Sequence, residues 1–219
     1  DTLIEGCTAV NDPALDEFGY GMEIGNFSQA TVRNCVFSGF GTPALSDGSS
    51  VAAVYVENNF TNGYVCTKNV TVEGCTMTDG QIGVWLGSSY TGAGLGGSLG
   101  LTLNLFNNTI ENNLYGMIVT DQWASGGSSV SLNAAGNNFI DNNTGVLLFS
   151  EASGAGRVDA DIACTFTQNN ISGSDVAIQT YEGVGGPGGS YDLNFQNNNL
   201  FNNNVDVDHN RVRDKNVGL

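Results

Sequence analysis

Short bursts of alternating apolar and polar residues recur along the whole chain: VTV at 70–72, LTLNL at 101–105, AVYV at 53–56 and GVWL at 83–86. A period of two marks strands with one buried face. Corners rich in Asn and Gly separate the bursts, and both residue types enter left-handed backbone conformations at small cost. Strong helix formers are scarce beside Gly, Asn, Ser, Thr and Val, so long helices are not expected.

The bursts are in step with one another. One column runs Cys7, Cys35, Cys75, Asn108, Asn138, Asn169 and Asn198, at intervals of about thirty residues that stretch where loops enlarge. A second runs Gly21, Ala53, Gly83, Gly116, Gly145, Ala177 and Asp206, each just ahead of a short strand. A unit of about thirty residues with three strands and three bends predicts one coil of a parallel β-helix. Equivalent side chains then stand about 4.8 Å apart on successive coils. Asparagines at one bend can bond up and down a ladder, which satisfies amides that are costly to bury alone.

The phrases VEGCTM, FNNTIENN, GNNFIDNN and QNNNLFNNN carry a resemblance to the right-handed parallel β-helix class, the architecture of pectate lyases and many surface proteins. It covers essentially the whole chain and implies an all-β, single-stranded coil of about seven turns, with an Asn/Cys ladder. Gly-rich loops at 88–100, 124–129, 153–157 and 183–190 are expected along one edge. The right hand follows from the strong bias of parallel crossovers. Residues 1–219 read as a single domain, expected to be a segment of a longer protein or a stacking unit.

Six Lys and Arg against 22 Asp and Glu give a net charge of −16. Nucleic acid and anionic lipid are therefore not expected partners, since both are held by clustered basic residues. No apolar run reaches the roughly 18 residues of a membrane-spanning helix. Five cysteines without CxxC spacing, beside the single His209, give no structural zinc pattern. They are expected as thiols in the core.

Candidate chemistry lies on the strand after the glycine column. Its middle residues form a predicted outward column: Glu23, Tyr55, Trp85, Ile118, Leu147, Gln179 and Asp208, with Phe149 and Tyr181 one step along. Tyr55, Trp85, Phe149 and Tyr181 are the candidate carbohydrate-binding residues, because exposed rings on a sheet can stack on sugars; a covering loop or an assembly surface is the other reading. Asp121, Glu151 and Glu182 follow on three successive coils. Stacked carboxylates repel unless a cation or proton is shared, so they are candidates for calcium, for acid/base catalysis, or for a solvated loop row. Glu111 and Asp141 form a second expected acidic column.

Arg33, Lys68, Arg157, Arg211, Arg213 and Lys215 are scattered, and only Arg211 falls in the acidic row. Polyuronate lyases need a cation at the developing enolate. The segment VDVDHN at 205–210 is faintly similar to the Asp-His strand end of pectate lyases, but their catalytic Arg and the paired aspartates of polygalacturonases have no counterpart. The expected function is a non-catalytic extracellular module of a surface protein, adhesin or filament, glycan-binding and able to associate end to end. The alternative is a polysaccharide lyase, hydrolase or epimerase with a groove along the outward face.

Overall fold

The computed structural model describes residues 2–11, 19–25, 29–41, 51–58, 66–88, 99–120, 129–150, 161–182 and 191–211. Within them the chain coils as a parallel β-solenoid of three sheets, each with seven strands. The first sheet runs from Thr2–Glu5 to Tyr191–Gln196, and the second from Thr8–Val10 to Asn199–Phe201. The third comprises Met22–Ile24, Ala52–Asn58, Ile82–Ser88, Tyr115–Thr120, Thr144–Ser150, Val176–Glu182 and Val205–Arg211. Five rungs of each sheet have a neighbour on both sides, while the first and last have one. Inward residues such as Val54, Val84, Met117 and Val146 are fully buried on the inner rungs. Phe195, Phe201, Val205 and Val207 remain exposed on the last rung. The Gly-rich segments connect the third sheet of one coil to the first sheet of the next, and their residues 89–98, 121–128, 151–160 and 183–190 lie outside the described residues.

Two bends recur along the coil, and at all but one of the described positions each begins with a left-handed residue. Gly6, Asn34, Gly74, Asn107, Gly136, Gln168 and Asn197 all have positive φ between the first and second sheets. Gly39, Asp79, Asn112, Asp141, Gly173 and Asn202 do the same between the second and third. The abundance of Asn and Gly thus serves backbone geometry first.

The residue after the first bend points inward and forms the expected ladder, with one correction. Asn137, not Asn138, is its member: its Oδ1 accepts from Asn108 N at 3.0 Å, and its Nδ2 donates to Leu105 O at 2.8 Å. Asn138 instead opens the strand Asn138–Ile140, where its side chain bonds to that of Asn170. Cysteines continue the ladder with longer bonds: Cys75 Sγ accepts from Cys35 N at 3.4 Å, and Cys35 Sγ from Cys7 N at 3.4 Å. Cys7, Cys35, Cys75 and Cys164 are free thiols, and burial pushes Cys75 up to about 11. Of these four only Cys7, on the outermost rung, is exposed.

The second bend carries a further ladder. Asn113 Oδ1 accepts from Gly80 N, Asn142 Oδ1 from Asn113 N, and Asn203 Oδ1 from Ser174 N, each at 3.0 Å. Ser174 is too short to reach back as the asparagines do, and its buried hydroxyl has no partner among the described residues. Ser174→Asn is expected to complete the ladder and raise stability by about 1 kcal/mol, read as a higher urea midpoint.

Candidate functional site

The third sheet carries the predicted outward column in register. Glu23, Tyr55, Trp85, Ile118, Leu147, Gln179 and Asp208 are successive Cα partners. Their neighbours Ile24, Val54, Val56, Val84 and Leu86 are buried in the coil, as alternation requires. Tyr20 lies just ahead of Gly21 in the glycine column. Its ring centroid is 4.7 Å from Tyr55, Tyr55 is 4.5 Å from Trp85, and Tyr20 is 6.5 Å from Trp85. These separations put a near right angle at Tyr55.

The rings therefore make a cluster on the outside of the coil rather than a flat row. Ala52 and Ile82 are buried in it, with Tyr115 and Ile118 packed against its edge. Tyr55 is only 8% exposed, with Tyr20 and Trp85 against it. The half-buried rings of Tyr20 and Trp85 are what the cluster offers to a ligand. The indole Nε1 of Trp85 is sealed from solvent and has no hydrogen-bond partner among the described residues.

Two carboxyl groups converge beside the rings. Glu57 lies two residues beyond Tyr55, on the same face, and is buried; Glu23 stands exposed on the preceding rung. A Cβ placed on Gly25 would be 3.7 Å from Oε1 of each, so the bare glycine lies beneath the pair. Glu57 also neighbours the Tyr55 phenol on the same strand face. Desolvation, then the neighbouring Glu57 carboxyl, raises the Glu23 carboxyl above its ordinary range, while Lys68 pulls the other way. Burial, then the nearby Glu57 charge, pushes the Tyr55 phenol far up.

Lys68 lies beneath this pair. It takes an inward position opposite Leu101 on the first sheet, with no exposed surface. Its Nζ donates to Ile24 O and Glu57 O, both at 2.6 Å, tying together the first two rungs of the third sheet. A buried ammonium is tolerable because these carbonyls replace part of its hydration.

The pair gives a pH prediction with a definite sign. A carboxyl raised above 4.5 in the fold favours folding at low pH, and that contribution is lost as pH rises through the folded value. Glu23→Gln removes the titration, so its melting temperature should gain on the parent more at about pH 7 than at about pH 4. Parallel melting curves with the opposite trend would contradict this.

The other expected site residues fall elsewhere. Phe149 is half-buried and partners Thr120 and Tyr181, two rungs from Trp85 and two residues further along. Tyr181 and Glu182 are described as backbone only, with Glu182 in register with Ser150 and Arg211. Asp121 and Glu151 lie outside the described residues. Among the described residues no three His, Cys, Asp or Glu converge as metal ligands. Glu111 and Asp141 do not form a column: Glu111 partners Ile140, and Asp141 sits one residue on, at the left-handed bend. The exposed His209 pairs with the Thr180 hydroxyl.

Sequence reasoning missed Tyr20, Glu57 and Lys68. Alternation signals two of them: Glu57 shares the face of Tyr55, and Lys68 is a charge at an apolar position of CTKNVTVE.

A family model described as the right-handed β-helix region matches residues 1–200. No curated protein and no solved structure matches the chain.

Proposed function

The chain belongs to the right-handed β-helix family, and from that premise we propose that it is a non-catalytic extracellular module that binds glycan on the outward face of its third sheet. The observation that carries the reading is the half-buried rings of Tyr20 and Trp85 standing beside the converging carboxyls of Glu23 and Glu57. Rings cover the apolar face of a sugar, and carboxyl oxygens accept from its hydroxyls. A scaffold stapled by ladders holds such groups without further ordering, which favours binding. The test is titration against a panel of oligosaccharides. Trp85→Ala is expected to weaken binding at least about tenfold, or ~1.4 kcal/mol; undiminished binding would remove this site.

An extracellular surface protein, adhesin or filament is the setting we infer. The exposed apolar side chains of the last rung support end-to-end association. Light scattering should then find rods longer than one chain. Calcium at Asp121, Glu151 and Glu182 remains part of the proposal, and a calcium-dependent thermal shift lost on alanine replacement of all three is its test.

The raised carboxyl of Glu23 favours a second reading, a polysaccharide-active enzyme. Against it, Glu57 is itself buried. Lys68 is sealed from any substrate. Release of reducing ends or unsaturated products, abolished in Glu23→Gln, would establish the enzyme.

A further inference from the structure

We propose that two copies of this chain dock head to tail, the last rung of one on the first rung of the next, in the register the three sheets already use. This rests on the end-to-end association inferred above and specifies its partner and geometry. Each sheet has an unpaired edge at both ends of the solenoid. Thr2–Glu5, Thr8–Val10 and Met22–Ile24 form one set, and Tyr191–Gln196, Asn199–Phe201 and Val205–Arg211 the other. Unlike ends meeting continue the parallel pairing of the inner rungs, whereas like ends would have to pair antiparallel. The contact is heterologous and does not close, so it builds rods.

The side chains of the two ends match column by column. Phe195 falls on Ile4, in the column of the buried Phe166. Val207 falls on Met22, in the column of the buried Val84 and Val146. On the outer face of the second sheet, Phe201 falls on Val10, and these two are exposed by 47% and 71%. The inner ladder gives the polarity independently. Its backbone N–H groups donate to the side chain of the following rung, as Cys7 N does to Cys35 Sγ at 3.4 Å and Asn169 N to Asn198 Oδ1 at 2.9 Å. Asn198 N is the last donor in that line, and Cys7 Sγ of the next copy is the acceptor it would meet. One column is mismatched, because Asp208 falls on Glu23. Like charges opposite each other weaken a rung pair, and this makes the register testable.

The test is sedimentation of the full chain over a concentration series, with melting curves to check that every variant is folded. Rods are expected to lengthen with concentration. Val10→Glu spoils one end and Phe201→Glu the other, so each alone should associate at least about tenfold more weakly. An equimolar mixture of the two still holds one sound pair of ends and should stop at dimers. Asp208→Lys should tighten association about three- to fivefold through Glu23. Glu111→Lys makes the same charge change on an inner rung and should not. Dimers that survive in either Glu variant alone mean that like ends meet. That result, or an equal gain from Glu111→Lys and Asp208→Lys, overturns the head-to-tail register and leaves association standing. A parent chain that stays monomeric at every concentration overturns both.

Discussion

Asn137→Ala is expected to lower stability by about 3 kcal/mol, among the largest effects of any side-chain truncation in this coil. The Asn137 side chain has no exposed surface and bonds in two directions along the solenoid axis. Its Oδ1 accepts from both the backbone and the side-chain nitrogen of Asn108, each at 3.0 Å. Its Nδ2 donates to Leu105 O at 2.8 Å and to Asn169 Oδ1 at 2.9 Å. Alanine leaves Asn108 N and Leu105 O without these partners in a place water cannot reach. Each such loss costs roughly 1–3 kcal/mol, far more than a made hydrogen bond contributes net. Asn133→Ala is the control. Asn133 bonds to its rung partner Asn104 on the outer surface, where water replaces the lost partner, and its cost should stay within about 0.5 kcal/mol. Urea unfolding of the two variants checks the contrast. Equal midpoints would mean that the inner ladder follows from stacking and does not enforce it.

The same ladder shows how far the sequence carries. Period-two alternation, the outward column and the glycine column were legible because each repeats once per coil, and a register error in one coil is exposed by its neighbours. Asn138 was misplaced because Asn137 and Asn138 are chemically identical in the phrase GNNFIDNN. The choice between them depends on which residue follows the left-handed Gly136, and that is a backbone fact. Glu111 and Asp141 were aligned as acids for want of the same information. Tyr20, Glu57 and Lys68 come from three coils, and their meeting depends on side-chain reach across a bend. Lys68 takes a position its neighbours fill with Leu101, Val130 and Ile162 and crosses to the carbonyls of two rungs. Periodicity fixes where a Cα lies and which face its side chain takes. It does not fix where the end of a lysine lies.

Gly116→Ala is expected to cost about 3 kcal/mol, although it adds a single methyl group. At this column successive rungs approach so closely that each glycine faces the carbonyl of the next rung. A Cβ on Gly116 would stand 2.5 Å from Gly145 O, 3.0 Å from the Phe139 ring and 3.1 Å from Asn142 Nδ2. The first contact is with backbone, so no rotamer relieves it, and the rung itself must move. Moving it disturbs Asn142, whose Oδ1 holds Asn113 N at 3.0 Å. One methyl thus strains the bend and loosens the second ladder together. The column accepts alanine at Ala53 and Ala177, both buried, so the penalty belongs to the local closeness of two rungs and not to glycine as such. Gly25→Ala on the first rung of the same sheet separates these causes. Its Cβ would meet only Glu23 and Glu57 oxygens at 3.7 Å, an ordinary contact. A near-neutral Gly25→Ala beside a strongly lowered unfolding midpoint for Gly116→Ala is the expected result. If both variants unfold at the parent midpoint, close rung approach does not determine this column, and the recurrence of glycine there needs another cause.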